Sequence, residues 1–181
     1  MGDNIKIRYD LVYSIYNKAE ILRDQDTYKT AEEIFEFVIG KVPKDNALTK
    51  KEESYLLRVI QKSFDDESVR NKRGNKRQCR YCEEWTYAAH HCVHCIREYL
   101  RNNFQNWTSG NAEVDALIQE CQNSTIRPSF VIEWIPYKNF SEVEYKKRGG
   151  CASIFKAVWR DGPYDKWNSE KQEIERKGLI E

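Results

Sequence analysis

The sequence predicts an α+β chain. It comprises a small N-terminal helical unit, a short four-cysteine zinc-knuckle module with helices around it, and a C-terminal β-hairpin. Three observations carry this reading. Apolar residues recur at three-and-four spacing from Leu11 to Phe64. Four of the six cysteines and all three histidines fall between Cys79 and Cys95. Past Pro128 the chain turns to short runs of β-branched and aromatic residues.

The first helix is expected over residues 9 to 24, with Leu11, Val12, Ile15, Tyr16, Ala19 and Leu22 on its buried face. Arg8 would lie on the same face one turn earlier, so the stripe begins at Leu11. A second helix carries Ala31, Ile34, Phe35, Val38 and Ile39, and Gly40 and Pro43 end it. A third starts at Thr49-Lys50-Lys51-Glu52. This is a capping box, in which hydroxyl and carboxylate satisfy each other's free amides, and the buried face is Leu56, Val59, Ile60 and Phe64. A further helix is read from Ile96 to Trp107. Another runs from Asn111 to Gln122, with Asn111 as N-cap and Val114, Leu117, Ile118 and Cys121 on one face. Val131–Ile135 and Ser153–Trp159 read as strands, and Asp161-Gly162-Pro163 as a turn. The segments are 1–68 (helical unit), 69–78 (basic linker), 79–127 (cysteine module and helices) and 128–181 (strand region).

Hydrophobic residues make up 40% and charged residues 33% of the 181 positions, the balance of a soluble globular chain. The start, MGDNIKIRYDLVYSIY, has no uninterrupted apolar stretch and no small-residue cleavage site, so no secretory signal is expected. Position 6 is lysine, which disfavours myristoylation. Apolar runs fall short of the ~20 residues that span a membrane. The expectation is an intracellular chain, cytoplasmic or nuclear, without a membrane partner. In a reducing compartment paired cysteines read as metal ligands before disulfides. The net charge of +1 hides an asymmetry: Arg70, Lys72, Arg73, Lys76, Arg77 and Arg80 lie close together with no acid among them, leaving the remainder at −5. These six could neutralise phosphates, which keeps a nucleic-acid partner open. Aromatics for base stacking are not interleaved with them, and charge runs are commonly solvated.

Cys79, Cys82, Cys92 and Cys95 form two Cys-x2-Cys pairs separated by nine residues. Two intervening residues let both thiolates of one turn face one ion, and a second such turn completes a tetrahedral four-thiolate shell. Structural zinc is the expected cofactor. A closed shell leaves no position for water, so the ion would tie a polar segment together rather than activate a nucleophile. Nine residues are too few for a finger helix, so two facing knuckles are expected. His90, His91 and His94 flank the second pair, and a Cys3His set with His91 in place of Cys92 stays open.

The stretch from Val143 to Trp159 is strand, glycine turn, strand. It resembles the opening of a protein-kinase small lobe. In order along the chain stand Asn106-Trp107-Thr108-Ser109-Gly110-Asn111, Leu117-Ile118-Gln119, Glu133-Trp134-Ile135-Pro136-Tyr137, the glycine hairpin and Asp161-Gly162-Pro163. Together with the double CxxC and the helical N-terminus they resemble the large kinase-like family expanded in mycorrhizal fungi, whose members continue into a tyrosine-kinase-like catalytic domain. The resemblance implies a degenerate nucleotide loop at Gly149, Gly150, Ala152 and Ile154. Against the pattern G-x-G-x-x-G-x-V, Gly149 takes the second glycine and Ile154 the valine, while Lys147 and Ala152 replace the other two glycines. Cys151 occupies the loop tip. The V-A-I-K lysine, the H-R-D catalytic loop and the D-F-G metal ligand have no counterpart in these residues, so ATP binding and catalysis by this chain alone are not expected. The leading expectation is a non-catalytic zinc-binding protein, vestigial or protein-binding, from a kinase lineage. The front end of a genuine kinase and a nucleic-acid-binding zinc protein are the alternatives.

Overall fold

Thr49 begins the longest helix as the sequence predicts: its hydroxyl accepts from the Glu52 amide at 3.3 Å, and its own amide donates to the Glu52 carboxylate at 2.9 Å. The computed structural model describes residues 7–21, 31–41 and 47–179. Leu22 and Pro43, and the side chains of Ala31, Ile34 and Phe35, lie outside the described residues. The architecture is α+β, mixed helices and small antiparallel hairpins with a four-cysteine cluster.

The chain divides into two compact units, one of residues 1–77 and 85–90, the other of residues 78–84 and 91–181. The first holds α1 (Tyr9–Ile21), α2 (Ala31–Lys41) and α3 (Lys50–Asn71). Its core is Val12, Ile15, Ala19, Val38, Leu48, Leu56 and Ile60, with Leu11, Tyr16 and Ile39 packed against it. Val12, Ile15, Ala19, Val38, Leu56 and Ile60 of the predicted stripes are buried, whereas Val59 and Phe64 are half-buried and outside this core, where the buried positions of α3 pass to Asp65 and Ser68. Two boundaries differ. α2 continues through Gly40 to Lys41, and α3 runs on through Arg70 and Asn71 before Lys72 closes it in the left-handed region at φ 50°. Arg8 does not join the apolar stripe; its guanidinium clamps Glu52 at 2.7 Å and 2.9 Å.

Two-residue strands follow, β1 (Arg77–Gln78) and β2 (Trp85–Thr86). The second unit then carries α4 (Val93–Asn102), α5 (Ala112–Ser124), β3 (Phe140–Arg148), β4 (Ser153–Trp159), β5 (Tyr164–Asn168) and β6 (Glu173–Arg176). β3 pairs antiparallel with β4, and β5 with β6, as separate two-stranded ladders. The core of this unit is Ile96, Leu100 and Ile174, with Tyr99, Phe104, Val131, Tyr164 and Trp167 against it.

Four expectations for this unit are corrected. α4 starts at Val93, inside the second cysteine pair, and ends at Asn102, where a 3-10 turn over Phe104–Asn106 takes over. Val131–Ile135 is not a strand. The segment has no ladder partner; its backbone is used singly, with the Ile132 carbonyl accepting from Gln122 Nε2 at 2.7 Å. The buried side of α5 is set by Ile118 and Gln122, while Leu117 is 61% exposed. Gln122 has traded a surface place for the Ile132 carbonyl, so the apolar stripe misreads the face. β5 and β6 were not foreseen. Gly162 closes their base: at φ +62° a β-carbon there would collide with the Gly178 carbonyl.

Candidate metal centre

The first cysteine turn is built by the backbone. The Cys79 amide donates to the Glu84 carbonyl at 2.9 Å, and the Glu83 amide returns to the Cys79 carbonyl at 2.8 Å. Glu83 sits at φ 61°, a conformation that favours glycine. The second turn is the start of α4. Cys92 is its N-cap, and the Ile96 amide donates to the Cys92 carbonyl at 3.1 Å.

The two turns bring all four sulfurs within 4.8 Å of one another. Cys79 Sγ lies 3.6 Å from Cys95 Sγ, and Cys82 Sγ lies 3.6 Å from Cys92 Sγ. These are non-bonded separations, far beyond the ~2.05 Å of a disulfide. A tetrahedral ion with sulfur ligands at about 2.3 Å requires edges of about 3.8 Å, so the cluster has the size of a four-thiolate shell. Four cysteines so placed could hold a metal ion. Cys79, Cys92 and Cys95 are 3%, 3% and 6% exposed, with Trp167 packed against them, and Cys82 is the least covered.

The electrostatics suit a cation. Burial pushes the Cys92 and Cys95 thiols up, Cys95 strongly. Burial acts the same way on Cys79, but the Cys82 and Tyr81 amides and the neighbouring sulfurs outweigh it and bring that thiol down to about 7. The Cys95 and His94 amides act on Cys92 in the same sense without closing a cap hydrogen bond. Backbone amides thus point at the first sulfur of each pair, and a bound cation would draw all four to thiolates.

Two of the three histidines are used elsewhere, and His94 is exposed. His91 Nε2 is 2.8 Å from the Ile126 carbonyl, the place of a donor rather than of a ligand standing in for Cys92. His90 turns to Asp65 of α3, its Nδ1 3.1 Å from Oδ2. Asp65 is 2% exposed and also accepts from the Ala89 and His90 amides at 2.7 Å and 3.2 Å. It fastens the segment between the two cysteine pairs onto α3. Asp65 lies off the apolar stripe of α3, on no row that the spacing of Leu56, Ile60 and Phe64 marks, so the sequence carries no local signal for it.

The basic run is partly committed to its own surroundings. Arg77 Nε donates to the Ala88 carbonyl at 2.8 Å, Lys76 lies 5.3 Å from the Tyr87 ring centroid, and Arg80 donates to Tyr81 Oη at 2.8 Å. Gly149, Gly150, Ala152 and Ile154 come together at the β3–β4 tip. The Gly149 amide donates to the Ala152 carbonyl at 2.7 Å, and a β-carbon on Gly149 would lie 3.0 Å from that oxygen. Nothing lies within 4 Å of one on Gly150. Turn closure alone therefore explains the first glycine. Ile154 pairs with Lys147 and is 44% exposed.

The residues behind the family resemblance also have local duties. Ser109 donates its amide to Asp115 at 2.7 Å, and Asn111 Oδ1 accepts from the Glu113 and Val114 amides, so Thr108–Asn111 caps α5. Glu133 pairs with Arg176 at 2.6 Å. Among the described residues no helix is long and apolar enough to cross a membrane. Compared with known proteins, the chain matches no protein-family model, no curated protein and no solved structure.

Proposed function

We propose that Cys79, Cys82, Cys92 and Cys95 hold one structural zinc ion, and that the chain is a non-catalytic protein-binding module organised around it. The observation that carries this is the approach of four sulfurs to within 4.8 Å on two turns. Four thiolates favour zinc over hard cations such as magnesium or calcium, and a closed four-ligand shell supplies order rather than chemistry. The kinase-like resemblance supports a signalling lineage. Replacement of two loop glycines by Lys147 and Ala152, and the turn-closing duty of Gly149, support a hairpin that does not cradle phosphate. Engagement of Lys76, Arg77 and Arg80 by neighbouring groups favours a protein partner over nucleic acid.

Native mass of the purified 181-residue chain tests the reading. The expected species is 21.6 kDa plus one zinc. A metal-free species overturns the zinc assignment. Salt-dependent binding to nonspecific DNA would move the reading to nucleic acid. Lys147→Gly with Ala152→Gly should yield no phosphotransfer, and detectable transfer would overturn the non-catalytic reading.

A further inference from the structure

Beside the cysteine cluster, within the second unit, lies a cleft of about 240 Å³ whose walls include Tyr81, Tyr99, Trp167, Glu98, Cys82 and Cys95. The rings come from three separate places: the first cysteine turn, α4 and β5. Tyr99 and Trp167 meet edge to face, centroids 6.0 Å apart and planes at 78°, which makes two walls of a corner. Tyr81 is 42% exposed and already carries a cation on one face, the Arg80 guanidinium 4.8 Å from its centroid.

The charge of the lining has one sign. Four thiolates around a divalent ion would leave the centre with a formal excess of two negative charges, and two of those cysteines, Cys82 and Cys95, line the cleft. The Glu98 carboxylate adds to it at the rim. Aromatic faces beside negative charge select a cation.

We propose that this cleft binds the trimethylated ammonium of a lysine side chain on a protein partner. The proposal rests on the protein-binding reading above and names what is read. A bare ammonium carries three N–H donors that need acceptors. Here three acceptors of the lining are already engaged: Glu98 Oε2 accepts from Arg101 at 3.0 Å, Asn103 Oδ1 from Asn106 Nδ2 at 3.0 Å, and Tyr81 Oη from Arg80 at 2.8 Å. A quaternary ammonium has no N–H to satisfy and is held by ring faces and negative potential alone. The Glu98 side chain is 62% exposed, so the cleft opens to solvent there and admits a side chain tethered to another protein.

The test titrates metal-loaded full-length protein with a peptide carrying trimethyllysine, the same peptide with unmodified lysine, and tetramethylammonium chloride, followed by Trp167 fluorescence. Native mass of each sample gives its zinc content. The trimethylated peptide should bind roughly tenfold more tightly than the unmodified one. Tyr81→Ala should weaken it about tenfold, and Glu98→Gln a few-fold, both with zinc content unchanged. Equal binding of the two peptides, absence of saturable binding, or indifference to Tyr81→Ala at full zinc content would overturn the proposal. Tetramethylammonium binding as tightly as the peptide would overturn its assignment to a protein side chain. Full zinc content with no preference for the trimethylated peptide overturns this proposal and leaves the structural-zinc reading standing, whereas a zinc-free native mass refutes that reading whatever the peptides do, so the two fail separately.

Discussion

The two units answer one physical problem in opposite ways. Each buries groups that carry or acquire charge. In the first, the Glu52 carboxylate is fully covered, and the chain supplies its partners: Oε1 accepts from the Arg8 amide and Nε, Oε2 from Arg8 Nη2 and the Thr49 amide. In the second, buried thiols gather around a point where the chain places only sulfur. A carboxylate satisfied from within leaves a unit that is self-sufficient. Cys92 and Cys95, pushed up by burial, leave one whose stability a bound ion would supply.

The largest test of that contrast is removal of the metal. Ion binding of this kind is worth roughly 10–16 kcal/mol in zinc-finger peptides. Chelation, Cys79→Ser or Cys95→Ser should therefore release zinc and abolish amide-exchange protection around residues 76 to 110, while α1 and α3 stay protected. Unchanged zinc content in both variants would refute four-thiolate ligation. Next in size is Leu56→Ala, which removes a fully buried side chain of the first unit and should destabilise it by about 2–5 kcal/mol with zinc content intact. If zinc is lost as well, the units are not independent in the sense drawn here.

Acid separates them further. Arg8, then Thr49, hold the Glu52 carboxyl well below the usual carboxylate range. Its contribution is present above its unfolded pKa of about 4.3 and is lost as pH falls through the lower folded value. Helical circular dichroism should thus fall in acid, and Glu52→Gln should remove that part of the pH dependence. An unchanged acid profile in the variant would show that Glu52 is not the titrating group. The smallest effect is expected at Glu83. Relief of its positive φ by Glu83→Gly should raise module stability by no more than about 1 kcal/mol, visible as slower zinc loss to a chelator.

Spacing rules read the local features well. The capping box at Thr49 and Glu52, the Asn111 cap and the two cysteine turns each depend on residues four or fewer apart, so the signal is contained in a short window. What escaped needs partners far along the chain. Asp65 is explained only by amides at 89 and 90, and Gln122 only by the carbonyl of Ile132. Val131–Ile135 has the composition of a strand, but no neighbour lends it a ladder, whereas β5, with Asp165, Lys166 and Asn168 among its five residues, gains one from β6. Strand propensity describes fitness for a pleated surface, and the partner decides whether that surface exists.

The division of the chain has a consequence for how this protein can be taken apart. Its boundary is crossed at 77/78, again at 84/85 and again at 90/91. A cut at any one of these points leaves each fragment missing residues of its own unit or carrying residues of the other. Fragment 1–77 forfeits Ala89 and His90, whose amides satisfy Asp65, and fragment 78–181 takes them away with it. Limited proteolysis should therefore find no single nick that yields two folded halves, and the two units are expected to be inherited together.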